Sequence, residues 1–250
     1  MPGRTSEIKN WLLSYEFIVL ISFSQDWETH LKTNHPKICR IPPRPPTNEN
    51  THTAKFIVNA FQKNGLINEN QSRIEDFILH KKSRSYRIPQ SRSQNFLIHP
   101  GSGSPLKNWP LDRFVSLSRE LKQQGYSSHW IVGPAESKML PLLTQYQVSQ
   151  NDIIQTDQLE RIMAVINQAN HYIGNDSGMT HLAAIMGVTS TIIFGPSDAR
   201  RWKPIGSYVN VISQDTSCPP CFETGSKTCA HRKCLHQISV SQVLQVVLSH

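Results

Sequence analysis

The chain has 250 residues, of which 38% are hydrophobic and 18% charged, and a net charge of +8. This is the composition of a globular protein with room for one large or two modest domains, and it excludes collagenous, coiled-coil and wholly disordered chains. The longest apolar runs, such as Phe17-Ile18-Val19-Leu20-Ile21, hold five residues, against the roughly 18 needed to cross a bilayer. Met1–Thr5 does not lead into the apolar stretch of a secretory signal, so a cytoplasmic protein is expected.

Six of the eight excess positive charges lie in residues 1–92. A positive surface there suits an anionic glycan or lipid headgroup. Nucleic acid is not expected as a partner, because no motif interleaves aromatic and basic residues.

In chain order, Phe17–Phe23 is a strand candidate. Ile41-Pro42-Pro43-Arg44-Pro45-Pro46 is an extended connector, since proline lacks the N–H and restricts its predecessor. Ala54–Gly65 places Ala54, Ile57, Val58 and Phe61 at helical spacing and closes on a glycine. Residues 80–95 are basic, Ser-rich and interrupted by Pro89, the signature of an interdomain linker. Beyond it come a strand at Phe96–His99, a helix from Leu111 to about Gln124, a strand at His129–Val132 and a helical stretch from Glu136. A short strand at Asp152–Gln155 precedes a helix carrying Leu159, Ile162, Met163 and Ile166. A strand at His171–Ile173, a helix over Ser177–Met186 and a strand at Ser190–Phe194 follow. Short apolar strands alternating with amphipathic helices make a doubly wound parallel α/β sheet, with ligands at the C-terminal strand ends. The expected domains are residues 1–92, including the linker, and 93–250.

Three strand-to-helix junctions carry residues suited to anions. His99-Pro100-Gly101-Ser102-Gly103-Ser104 precedes Lys107-Asn108-Trp109-Pro110, so backbone N–H groups and an ammonium can meet the same oxygens, although a Gly/Ser loop after a strand is often only a turn. Gly174-Asn175-Asp176-Ser177-Gly178-Met179-Thr180-His181 spans a strand end and a helix start, where free N–H groups and the dipole favour a pyrophosphate. Asp176 or Ser177 can equally be a simple N-cap. Phe194-Gly195-Pro196-Ser197-Asp198 is the third. Glu136, after Gly133-Pro134, can accept from ribose hydroxyls or merely favour a helix start.

Together these segments resemble glycosyltransferase family 9, the lipopolysaccharide heptosyltransferase-like enzymes, from Phe96 to the C-terminus, and Ile41–Pro46 with Thr51-His52 resembles the late part of the family's first domain. The resemblance implies a GT-B fold of two Rossmann-like domains and an inverting, metal-independent transfer of heptose from ADP-heptose to a lipopolysaccharide core sugar. The protein would work in the cytoplasm, with peripheral contact at the inner membrane, on an anionic glycan or glycolipid acceptor. By motif position Lys107 would meet the donor phosphate or departing oxygen, Asp176 the donor sugar, Glu136 the ribose, and Ser177, Gly178 and His181 the pyrophosphate. Gly101, Ser102 and Thr180 complete the implied substrate-binding set. The family's Gly-rich first loop and general-base carboxylate have no counterpart in residues 1–40, where Asp26 and Glu28 are the nearest carboxylates to a strand end. The first domain is therefore expected to be incomplete and transfer poor. A noncatalytic nucleotide-sugar-binding protein is the alternative.

No cofactor is required for that reading. Cys218-x2-Cys221-x7-Cys229-x4-Cys234 has the spacing of a structural zinc site, and reduced packed cysteines or redox-active pairs fit it as well.

Overall fold

The structure, a computed structural model, describes residues 3–68, 94–214, 218, 220–222, 229 and 231–249, without the side chains of residues 3–6. The chain divides into two compact units, Met1–Ile74 and Glu75–His250. The expected linker lies outside the described residues up to Ser93.

In the first unit a helix, α1 (Gly3–Leu13), precedes a strand, β1 (Ile18–Ile21). β1 pairs in parallel with β2 (Ile38–Ile41), Ile18 opposite Ile38. Between them runs α2 (Gln25–Lys32), started by the Ser24 hydroxyl, which accepts the Trp27 N–H. Glu28 on α2 accepts from Lys32 Nζ and Arg40 Nε, each at 2.8 Å. These bonds hold its carboxyl below the ordinary range, so it is a poor base at neutral pH. The next helix, α3 (Thr53–Lys63), starts one residue before the expected Ala54, because the ring of His52 caps it by accepting the Ala54 N–H at 3.2 Å. It ends on Gly65 at φ +68°. There the Leu66 N–H reaches Phe61 O and the Gly65 N–H reaches Gln62 O, the paired bonds of a Schellman stop.

The second unit is a six-stranded, wholly parallel sheet. Its strands are β3 (Asn95–His99), β4 (Ser127–Val132), β5 (Ile153–Gln155), β6 (His171–Asn175), β7 (Thr189–Ile193) and β8 (Val209–Ile212), in the order β5-β4-β3-β6-β7-β8. Counted within the unit, this is the 3-2-1-4-5-6 order of a doubly wound fold, whose order reverses between β3 and β6. Its helices are α4 (Leu111–Gln123), α5 (Leu140–Gln145), α6 (Leu159–Gln168), α7 (Gly178–Ile185), α8 (Ala199–Trp202), α9 (Lys233–His236) and α10 (Val240–Leu248). One face of the sheet packs Phe96, Ile98, Trp130 and Ile173 against Phe114, Leu117 and Leu121 of α4 and Val243 and Val247 of α10. The other packs Leu97, Ile131 and Tyr172 against Ile166 of α6 and Ala183 of α7. Central strands covered on both faces read as continuous apolar runs rather than alternations, which is why Phe96-Leu97-Ile98 and Trp130-Ile131-Val132 are recognisable as strands.

Several elements go beyond the sequence expectations: α1, α2 and β2 in the first unit, and α8, α9, β8 and α10 in the second. β8 is a short edge strand, held by pairing with β7 from Ser190↔Val209 to Ile193↔Ile212. α10 begins at a capping box in which Ser239 and Gln242 each bond the other's backbone N–H. Around Glu136 the expected helical stretch is a 3-10 turn, Pro134–Met139, that runs into α5.

Candidate functional site

The reversal of strand order brings the ends of β3 and β6 side by side, His99 opposite Gly174. The loops leaving these strands are fastened by Asn175, which is fully buried. Its Nδ2 donates to Pro100 O at 2.8 Å, and its Oδ1 accepts the Trp109 N–H at 2.9 Å. Trp109 is anchored in turn through Nε1 to Ile238 O at 3.0 Å. The loop from Pro100 to Trp109 is thereby held at both ends, and a 3-10 turn, Pro105–Lys107, lies inside it. Ser102, expected to bind ligand, directs its hydroxyl into this loop, 2.7 Å from both Ser104 O and Asn108 Oδ1.

Lys107 Nζ lies 3.2 Å from Asp176 Oδ2 across 69 residues of sequence. The Ser197 hydroxyl donates to the same oxygen at 2.6 Å. The two residues expected to carry the chemistry are therefore in contact, and Ser197, whose motif was recognised without a role, joins them. Ser177 is the N-cap of α7 by backbone geometry, yet its side chain makes no cap bond. It pairs instead with the Thr180 hydroxyl at 3.1 Å. Thr180 is completely buried and donates to Asn175 O at 2.6 Å, so it fixes the turn from inside. Gly178 opens α7, and a Cβ there would meet nothing within 4 Å. Its lack of a side chain leaves room at the start of the helix. His181 sits half-buried one turn further on.

Glu136 is buried at the end of β4. Its Oε2 accepts the Gly133 N–H at 3.0 Å, and its Oε1 lies 3.7 Å from His99 Nε2. The neighbouring His99 ring and the Gly133 N–H hold its carboxyl below the ordinary 4.5. Gly101 has a reason beyond anion binding, because a Cβ there would overlap the Glu136 carboxylate. Next to Gly133 opens a cavity of about 280 Å³ between the ends of β4 and β5, lined by Val132, Pro134, Leu140, Gln155, Thr156 and Asp157 among others.

A depressed carboxylate contributes stability that is complete above its unfolded pKa and is lost as pH falls through the folded value. Glu136→Gln is expected to lower stability by about 1 kcal/mol at pH 7. The gap from wild type should close as pH drops below 4.5, which urea unfolding at a series of pH values measures.

Cys221, Cys229 and Cys234 line a small cavity of about 20 Å³, and Cys218 is exposed. Among the described residues none of the four is joined in a disulfide. Among the described residues no group of three or more His, Cys, Asp or Glu side chains is arranged to hold a metal ion. Burial pushes the Cys221 and Cys234 thiols up, whereas backbone N–H groups of Arg232 and His231 pull Cys229 down.

The sequence model of glycosyltransferase family 9 (heptosyltransferase) matches residues 47–231. A lipooligosaccharide heptosyltransferase 2 of Campylobacter jejuni subsp. jejuni serotype O:2 is 24% identical over 156 residues, 59% of this chain and 48% of that protein. The chain thus spans about half the length of that curated relative. A family 9 glycosyltransferase from Veillonella parvula superposes with a TM-score of 0.66 at 20% identity, covering 98% of this chain and 70% of that one. The E. coli heptosyltransferase WaaC with ADP gives 0.63 at 14% identity, over 99% of this chain and 78% of that one. At these identities the solved structures establish the fold.

Proposed function

The chain belongs to glycosyltransferase family 9, the heptosyltransferases, and from that premise we propose that it transfers heptose from ADP-heptose to an anionic lipopolysaccharide core acceptor, with inversion and without a metal. The observation that carries this reading is the cluster of Lys107, Asp176 and Ser197 at the switch point of the sheet, where a doubly wound fold binds its ligand.

The donor diphosphate lies against Lys107 and the N–H groups of Gly178 and its neighbours, with His181 one turn along the helix. The adenosine occupies the cavity between the ends of β4 and β5, with its ribose directed toward Glu136. As the glycosidic bond breaks, negative charge grows on the diphosphate. A fixed ammonium and a helix start stabilise that charge more in the transition state than in the ground state. This chain supplies the positive charge itself, which supports the metal-independent form of the reaction. Among the described residues Asp176 accepts from Lys107 and Ser197 on Oδ2, leaving Oδ1 to accept from a sugar hydroxyl. The acceptor is a glycolipid, so the reaction is placed at the cytoplasmic face of the inner membrane. No helix among the described residues is long and apolar enough to cross a membrane.

Calorimetry with ADP, and a transfer assay with ADP-heptose and heptose-deficient lipopolysaccharide in the presence of a chelator, test the reading. ADP binding and chelator-resistant transfer are expected. Failure to bind ADP overturns the donor assignment, and binding without turnover selects a noncatalytic nucleotide-sugar-binding protein. Near-stoichiometric zinc in chelator-free protein identifies the cysteine cluster as a structural metal site, and four titratable thiols without metal identify it as reduced packing.

A further inference from the structure

Lys107 has a second partner besides Asp176. Its Nζ stands 5.1 Å from the centroid of the Phe222 ring, inside the roughly 6 Å range in which a ring face attracts a cation. The Phe222 backbone N–H donates to Pro196 O at 3.1 Å, and the next residue, Ser197, donates to Asp176. One turn after β7 thus holds both members of the Lys107–Asp176 pair, the carboxylate directly and the ammonium through a ring. The ring is 40% exposed, so burial alone does not account for a large apolar side chain at this place. Behind it lies the small cavity lined by Leu106, Pro196, Cys221, Cys229 and Cys234. The residues before Lys107, Ser197 and Phe222 thereby share one packing site.

We propose that Phe222 is a positioning residue for Lys107: its ring face holds the ammonium over the strand ends in the orientation that meets the donor diphosphate. The proposal rests on the reading of Lys107 as the diphosphate cation. An ammonium has three N–H donors and no acceptor, and a lysine left free on its four-carbon stem samples many rotamers. A hydrogen-bonding partner would restrain the side chain at the expense of a donor. A ring face restrains it electrostatically and consumes none, so the donors not pointed at Asp176 stay available for phosphate oxygens. When the diphosphate arrives and Asp176 turns to the sugar, the contact with Phe222 persists.

The test uses the full chain and compares ADP and AMP affinities by calorimetry for wild type, Phe222→Leu, Phe222→Tyr, Lys107→Ala and the double variant Phe222→Leu with Lys107→Ala. Leucine retains apolar bulk without the ring, which separates packing from attraction to the cation. Phe222→Leu is expected to weaken ADP about 3- to 10-fold, to affect AMP much less, and to be rescued by Phe222→Tyr. In the Lys107→Ala background it should cost nothing further. An unchanged ADP affinity in Phe222→Leu, or an equal loss with and without Lys107, overturns the positioning role. An unchanged ADP affinity in Lys107→Ala overturns the diphosphate reading instead. A ligand-free measurement separates the two failures: trace acetylation of Lys107, read by mass spectrometry, should rise several-fold in Phe222→Leu and stay at the wild-type rate in Phe222→Tyr. No rise in Phe222→Leu means that the ring does not hold the ammonium.

Discussion

Replacement of Lys107 by alanine is expected to lower sugar transfer by about 10²–10³-fold, the usual loss when one fixed donor to a developing negative charge is removed. ADP affinity should fall less, about ten-fold or somewhat more, since a charge-assisted bond contributes about 1.5–3 kcal/mol. The difference arises because charge on the departing diphosphate is greatest in the transition state. Stability should fall, because Asp176, with its side chain only 10% exposed, is then left with the Ser197 hydroxyl and without the cation that compensated its charge. The variant is therefore best compared with Lys107→Arg, which keeps the charge while changing its shape. If both substitutions depress transfer and only alanine depresses ADP binding, charge governs binding and the placement of the ammonium governs the chemistry. Full transfer by Lys107→Ala would remove this residue from the reaction.

The largest effect on stability is expected at Asn175. Alanine there leaves the Trp109 N–H and the Pro100 carbonyl without the partners they have at 2.9 and 2.8 Å, in a site from which water is excluded. Each orphaned buried group costs about 1–3 kcal/mol, so a loss of about 3 kcal/mol is expected. That corresponds to a fall of roughly 6–12 °C in the melting temperature of a unit of this size. The loop carrying Lys107 is released at the same time, so ADP affinity should drop even though Asn175 is placed too deep to touch the nucleotide. Asn175→Asp retains the oxygen that accepts from Trp109 but puts a charge against the Pro100 carbonyl and beside Asp176, and it should not rescue. Differential scanning calorimetry on the two variants checks the ranking, and a melting temperature unchanged in Asn175→Ala would contradict it.

The fold of the second unit was legible in the sequence because its signals are local. Period-3.6 apolar residues mark α4 and α6, and glycines such as Gly125, at φ +85°, punctuate helix ends where other residues would be strained. The start of α10 was not read from the sequence, although its Ser239-Gln242 capping box is a signature that stands just ahead of an apolar run. β8 was not legible. A four-residue edge strand has little propensity of its own and forms because β7 offers a row of partners.

The candidate site divides along the same line. Sequence by itself located Lys107, Glu136 and Asp176 at strand ends, since strand-loop-helix junctions and their residue types are written locally. Tertiary structure alone decided that Lys107 meets Asp176, that Ser197 and Phe222 flank the pair, that Asn175 ties the two loops, and that Gly101 is small because Glu136 needs its space. These are contacts between residues distant in the chain, made by loops that leave neighbouring parallel strands at one end of the sheet; those of Lys107 with Asp176 and of Asn175 with Pro100 and Trp109 straddle the reversal between β3 and β6. No local pattern encodes them, because each depends on two loops being brought to the same end of one sheet.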